Sequence, residues 1–408
     1  MTCQLLIGDA TEVLATLPAA SVQCVITSPP YWNLRDYQCA GQIGLEDIPS
    51  AYIGRLVAVF REVRRVLRDD GTLWVNIGDT YCGYHGNSQC ADEDAPSNKP
   101  GYVENMRATT VGVEGLKPKD LVGIPWMLAF ALRADGWYLR SDIIWAKPNP
   151  MPESVTDRPT SSHEYLFLLS KSATYYYDAA AIAEDATRPD EPRLKQNGES
   201  AVDTKTRGYS TQCGTTTTRN KRDVWTIASQ PYPGAHYAVM PAKLVEPCIL
   251  AGTSPQACEH CGAPWARVTE RVAAVAPASY NGSTFTRGKT VTPHANTGQG
   301  TRYEHGDTTG WRPTCTHDNE GMGQCVTLDP FFGSGTVGKV ALSYGRSFVG
   351  IDIDPRNVEL ARHRIGPMLL DNPSATVPIR RVVDKQAATG NRTAAGFNER
   401  WDAKEAAI

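Results

Sequence analysis

A chain of 408 residues with 41% apolar residues can build one large domain with insertions, or two domains. Its formal net charge of −3 excludes a uniformly basic nucleic-acid coat, so any nucleic-acid surface is local. No apolar run is long enough to span a membrane, no signal peptide opens the chain, and eleven cysteines then read as reduced thiols with a metal rather than as a disulfide framework.

Residues 4–7 form a short apolar strand ending at Gly8-Asp9, residues 11–17 a helix stopped by Pro18, and residues 22–26 a second strand. This β–α–β order is the unit of a parallel sheet. Residues 52–67 place Leu56, Val59, Phe60, Val63 and Leu67 on one helical face, and Asp69-Asp70-Gly71 ends that helix before a strand at 72–77. Residues 84–116 are polar and Gly-rich and read as a long mobile loop. Asp120 is the expected cap of a helix over 121–134, and strands follow at 139–145 and 165–169.

Apolar periodicity then lapses. Residues 187–222 carry eight Lys/Arg against four Asp/Glu, and 266–312 carry six against three, with His294, His305, Tyr280, Tyr303 and Trp311 interleaved. Local positive charge among aromatics suits phosphates and bases; the alternative is two solvated surface loops. Between them lies a helix at 242–251. A strand at 326–328, a helix at 336–342, a strand at 347–351 and a helix at 355–365 close the ordered chain, and a low-order tail fills 369–408.

Two constellations carry chemistry. After the strand at 22–26 comes Thr27-Ser28-Pro29-Pro30-Tyr31-Trp32. Ser28 offers a hydroxyl, Pro29 a carbonyl on a stiff backbone, and Tyr31 a flat face, which together suit a planar amine-bearing group. Late in the chain, Asp329-Pro330-Phe331-Phe332-Gly333-Ser334-Gly335 is a tight turn between strand and helix, and the next strand ends in Asp352, 23 residues after Asp329. Glycines there admit a ligand close to the backbone, and an acid at that spacing takes ribose hydroxyls. Without G-K-[ST] the loop is no phosphate-cradling P-loop, so a nucleoside without pyrophosphate is the expected ligand.

The paired motifs, in this order, resemble those of the DNA amino-methyltransferases in their permuted (beta) arrangement: Ser28-Pro29-Pro30-Tyr31 first, and F-x-G-x-G as Phe331 to Gly335 late. The resemblance extends through Gly8-Asp9, 73–79, 143–150 and 349–352. It implies an α/β fold, a doubly wound, mostly parallel Rossmann-like sheet with inserted recognition loops. In it, the strands at 326–328 and 347–351 make the cofactor end and those at 4–7 and 22–26 the catalytic end. It implies S-adenosylmethionine as cofactor. Asp329, Gly333, Gly335 and Thr336 would hold the methionine end, Asp352 the ribose, with Phe331 packed nearby, Asp9 by the adenine, and Pro241 and Lys243 in a further cofactor-side motif. Catalysis would rest on Ser28, Pro29, Pro30 and Tyr31, with the target base flipped from double-stranded DNA. Ser at the first motif position favours cytosine N4. Adenine N6 on the same fold, or a DNA-binding module without activity, are the alternatives. Such a protein would be cytoplasmic, bacterial or phage-encoded, a monomer or homodimer, and paired in some cases with a restriction endonuclease.

The expected divisions are a catalytic half at 1–183, a basic recognition insertion at 184–223, a cofactor-side helix region at 224–257, a zinc-bound recognition loop at 258–318, a cofactor-binding half at 319–368 and the tail. Zinc is read from Cys258-x-x-Cys261 with Cys315-x-His317, a compact half-site plus two further ligands, with Cys325 or His260 as substitutes and free thiols as the alternative. Trp145, Lys147 and Asn149 either line the target pocket or anchor a loop. His163-Glu164 is expected to be structural, and Cys3, Cys24 and Cys248 to lie in the core.

Overall fold

The computed structural model describes residues 2–82, 113–186, 218–230, 239–269 and 308–366, and the backbone of 193–196, 209–213 and 379–381. In chain order the elements are β1 (Cys3–Ile7), α1 (Ala10–Thr16), β2 (Val22–Thr27), α2 (Pro49–Val66), β3 (Leu67–Ile77), α3 (Ile124–Ala134), β4 (Tyr138–Ala146) and β5 (His163–Ser170). Next come the short strands β6 (Glu184–Asp185), β7 (Arg193–Gln196), β8 (Tyr209–Cys213), β9 (Thr218–Arg219) and β10 (Val224–Thr226). They are followed by α4 (Ala242–Gly252), β11 (Ala266–Thr269), β12 (Thr308–Arg312), β13 (Val326–Asp329), α5 (Thr336–Ser343), β14 (Ser347–Asp352), α6 (Pro355–Ile365) and β15 (Ile379–Arg381).

Nine strands form one sheet in the order β10-β4-β5-β3-β2-β13-β14-β1-β15. Among the described strands of this sheet only β5 runs against its neighbours. Every residue of β2 is buried, as a strand covered on both faces requires. One core gathers Val13 and Leu14 of α1, Phe60 of α2 and Leu128 of α3 on one face. The second gathers Val245 of α4, Val337 of α5 and Ala361 of α6 on the other. Each of these Val, Leu and Phe side chains contributes roughly 1.5–3 kcal/mol on burial. Cys3, Cys24 and Cys248 belong to this second core, as expected.

The site is positioned by one juxtaposition. β2 and β13 pair in parallel, with Cys24 opposite Thr327 and Val25 opposite Leu328. The chain leaves β2 toward a helix on one face and leaves β13 toward a helix on the other. A crevice therefore opens at the carboxyl ends of these two strands, the place where doubly wound sheets take ligands.

The structure corrects three expectations. β1 does not stand at the catalytic end: it pairs with β14, Ile7 opposite Asp352, and the Gly8 N–H donates to the Asp352 carbonyl at 3.0 Å. It covers the outer edge of β14, and α1 carries the chain back over two strands to β2. The helix before β3 stops at Val66, because Leu67 is already extended (φ −70°, ψ 138°), so Asp69-Asp70-Gly71 lies within the strand and not at the helix end. Asp120 does not cap α3. Gly123 turns left-handed (φ 86°) and aims the helix N-terminus at Asp79, whose carboxylate accepts from Gly123 N and from Ile124 N, the latter at 3.0 Å. Asp120 instead accepts from Lys117 N and pairs with its ammonium within a turn.

Of the loop expected at 84–116, residues up to 112 lie outside the described residues, as does the tail apart from the backbone of 379–381; both insertions are described only in part.

Removing the Asp79 cap is expected to lower stability by about 1 kcal/mol, whereas Asp120→Ala, on the surface, changes it by less than about 0.5 kcal/mol. Urea unfolding of Asp79→Ala and Asp120→Ala checks this ranking, and equal midpoints for the two contradict the assignment.

Candidate active site

β2 delivers Thr27 fully buried and ends there, so that Ser28 leaves the sheet. The prolines remove two backbone donors, and the next turn is held from outside. The Tyr52 hydroxyl, from α2, donates to the Pro30 carbonyl at 2.8 Å, and the Trp32 indole donates to the Glu46 carbonyl at 2.8 Å. Pro29 is buried, and among the described residues no backbone donor meets its carbonyl. The Tyr31 ring lies against Gly78, where a Cβ would come within 2.9 Å of the ring.

Across the crevice, Gly333 (φ 50°) and Gly335 (φ 76°) turn the chain from β13 into α5. A Cβ on Gly335 would meet that of Ala361 at 2.8 Å, so this glycine serves helix packing. A Cβ on Gly333 would meet open space, leaving that backbone accessible. Asp352, at the end of β14, accepts from Gly333 N at 2.9 Å and Asp354 N at 2.8 Å. Phe331 is half-buried beside the first core.

The two loops are joined directly. The Thr27 hydroxyl donates to Asp329 Oδ1 at 2.7 Å, and Phe331 N donates to the same oxygen at 3.0 Å. Burial pushes the Asp329 carboxyl up to about 7 and that of Asp352 up to about 6, against these hydrogen bonds. Among the described residues neither carboxylate has a cationic side chain in contact, so a cation placed beside them would favour their ionised forms.

Other expected site residues are placed less centrally. Asp9 lies at the same sheet edge but caps α1, accepting from Thr11 N at 2.8 Å. Thr336 opens α5, and its hydroxyl accepts from Arg364 at 2.8 Å. Lys243 is exposed in the first turn of α4. Trp145 is buried and anchors its loop through the Ile227 carbonyl, and Asn149 exchanges two hydrogen bonds with Ser229.

Sequence reasoning missed the base of the site. Asn76 and Glu164 sit beneath Tyr31: the Tyr31 hydroxyl donates to Glu164 Oε2 at 2.6 Å, Asn76 Nδ2 donates to the same oxygen at 3.0 Å, and Lys147 pairs with Oε1. A buried asparagine inside the apolar run Leu73-Trp74-Val75-Asn76-Ile77 was the available signal, since such a group needs a partner.

The metal expectation has geometric support. The Cys258, Cys261 and Cys315 sulfurs and a His317 nitrogen lie within 4.8 Å of one another, a set suited to tetrahedral zinc. Cys325 is buried just before β13, and the His260 ring lies tilted 5.8 Å from that of His317; neither belongs to the set. Gln23 reaches the Gly262 carbonyl at 2.7 Å and Arg68 the Cys261 carbonyl, so the cluster is docked at the amino ends of β2 and β3. The described part of the expected recognition loop at 258–318 thus lies at the sheet edge away from Ser28.

A family model for N6- and N4-type DNA methylases matches residues 22–258 and 321–363. The chain belongs to the DNA methylase family. Type II methyltransferase M.Cfr9I of Citrobacter freundii is 41% identical over 88% of this chain and 86% of its own. Type II methyltransferase M.SmaI of Serratia marcescens is 40% identical over 89% and 91%. This DNA methylase is also similar to solved structures: PvuII DNA methyltransferase (cytosine-N4-specific), with a TM-score of 0.49 at 14% identity over 92% of this chain and 95% of that one, and a putative DNA modification methylase of Thermus thermophilus complexed with S-adenosyl-L-methionine, with a TM-score of 0.46 at 19% identity over 93% and 100%. No helix among the described residues of the methylase is long and apolar enough to cross a membrane.

The raised carboxyl at Asp329 has a sign. The folded chain holds this proton up to about pH 7, whereas the unfolded chain releases it at about pH 4. The folded state therefore binds more protons in that window, and the contribution of Asp329 to stability falls as pH rises from about 4 to 7. Asp329→Asn is expected to be several degrees more stable relative to wild type at pH 8 than at pH 5. Thermal unfolding of the two proteins without added ligand checks it, and a pH-independent difference contradicts it.

Proposed function

We propose that this DNA methyltransferase transfers a methyl group from S-adenosylmethionine to the exocyclic N4 of cytosine in double-stranded DNA, with the target base flipped out of the helix. The observation that carries the reading is the hydrogen bond from Thr27 to Asp329, which joins the amine-gripping loop to the glycine-rich loop. The site suits a cationic nucleoside: two buried carboxylates lack a cationic partner among the described residues, and open space lies over Gly333.

When bound, S-adenosylmethionine would supply a methyl group on a sulfonium centre. Asp329 and the Gly333–Gly335 backbone would orient its amino-acid end, Asp352 the ribose and Phe331 the ring. An exocyclic amine is a poor nucleophile because its lone pair is delocalised into the base. Ser28 Oγ and the Pro29 carbonyl would accept its two N–H groups, drawing nitrogen toward sp³ and localising the pair. Tyr31 would stack on the flipped base. Positioning and preorganised acceptors then supply most of the acceleration, with no covalent enzyme intermediate. Ser28 at the first motif position supports cytosine over adenine. The motif order supports the permuted arrangement. The basic segments within 185–223 and 266–312 would contact DNA, and the four-residue cluster would hold structural zinc.

Nucleoside analysis of DNA methylated by the purified protein is expected to give N4-methylcytosine, and N6-methyladenine as sole product overturns the base assignment. Asp352→Ala is expected to weaken cofactor binding about tenfold or more, ~1.4 kcal/mol, while Pro29→Ala and Tyr31→Ala lower turnover on the order of a hundredfold with cofactor affinity kept. Isothermal titration with single-turnover assays separates the two. Elemental analysis is expected to find one zinc per chain, and a folded, active, zinc-free protein removes that assignment.

A further inference from the structure

At and beneath the catalytic loop, four side chains from four segments form a continuous polar chain, of which the transfer chemistry above uses only the Tyr31 ring. Lys147, just past β4, lies with its ammonium 4.5 Å above the Trp145 ring and pairs with Glu164 at the start of β5. Glu164 is largely buried, its side chain 16% exposed, and that of Lys147 is 20% exposed. The ammonium takes one carboxylate oxygen of Glu164 and leaves the other as an acceptor. Its other oxygen takes the Tyr31 hydroxyl at 2.6 Å, a length typical of a charge-assisted O–H···O⁻ bond. Asn76, 1% exposed, donates to that same oxygen and is itself held by the Tyr165 carbonyl at 3.2 Å, which fixes which way its amide points.

This arrangement has a polarity. The Tyr31 phenol carries one proton, and the carboxylate takes it. The phenol oxygen is thereby held from below, and the ring with it.

We propose that Glu164, paired with Lys147, is a positioning residue for methyl transfer: through the Tyr31 hydroxyl it fixes the ring that stacks on the target base. The inference rests on the reading of Ser28-Pro29-Pro30-Tyr31 as the amine-gripping loop, and it adds that the loop's ring is held from below. A purely structural ion pair would support the strands without linking Glu164 to Tyr31 energetically.

The test is a double-mutant cycle in single-turnover methylation of duplex DNA, with cofactor affinity and 2-aminopurine fluorescence at the target base as parallel readouts. Wild type must methylate; if it does not, the reading of the loop fails and the inference with it. Given an active wild type, Glu164→Ala and Tyr31→Phe are each expected to slow the transfer step about ten- to a hundredfold, ~1.4 to ~2.7 kcal/mol, with cofactor affinity within about threefold. Their combination is expected to be no slower than the worse single variant. Because Glu164→Ala strands the Lys147 ammonium, E164Q/K147M is the companion: it keeps an acceptor for the phenol with no buried charge, and is expected to recover most of the rate. Additive losses in the cycle, an unchanged rate in Glu164→Ala, or no recovery in a folded E164Q/K147M each overturn the assignment while leaving the methyltransferase reading intact.

Discussion

The site depends on one buried hydrogen bond between residues 302 positions apart, Thr27 to Asp329. It exists because β2 and β13 are neighbours in the sheet, and that adjacency turns two loops into one crevice. Burial makes the bond matter. A carboxylate this far from water is costly, and two donors with no cationic partner among the described residues do not restore it to its ordinary acidity. The protein thus keeps a destabilised acid where a positively charged ligand would relieve it, the usual relation between strain in a folded chain and its binding site.

Much of this could be read from residue types. The two loops stood out because they break strand patterns in different ways: prolines that remove donors after residue 27, and glycines at 333 and 335 that take left-handed backbone. Cys3, Cys24 and Cys248 could be assigned to the core from their apolar neighbours. What escaped was tertiary. The cap of α3 comes from Asp79, more than forty residues upstream, while the nearer Asp120 has the right chemistry in the wrong turn. β1 satisfies every local rule for a strand, yet no local rule tells which edge it covers; that depends on the open flank of β14. Glu164 looked like an ordinary strand-start residue because its partners Tyr31, Asn76 and Lys147 arrive from three other segments.

The two edges of the sheet are used differently. At the carboxyl edge lie Ser28, Asp329, Asp352 and the polar chain under Tyr31. At the amino edge, Gln23 bridges two distant pieces: its amide nitrogen reaches the Gly262 carbonyl and its oxygen accepts from Val326 N at 2.6 Å. Arg346 adds a second brace there, reaching the Thr253 hydroxyl at 3.0 Å. The cysteine–histidine cluster is thereby attached to the scaffold through backbone carbonyls, so its side chains are oriented by the fold rather than by the crevice.

Seaming the chain's two halves inside one sheet has a consequence for how the molecule comes into being. β14 lies between β13 and β1, and β13 between β14 and β2, so strands from opposite ends of the chain interleave across the sheet. During synthesis β2 can pair with β3 and the first half can collapse around α2, but β1 and the other edge of β2 have no partner until residues beyond 326 emerge. Pairings of such sequence separation form slowly, because a long loop must close before any of them is rewarded. The nascent protein therefore carries unpaired strand edges through most of its translation, and the crevice is assembled among the last features of the fold.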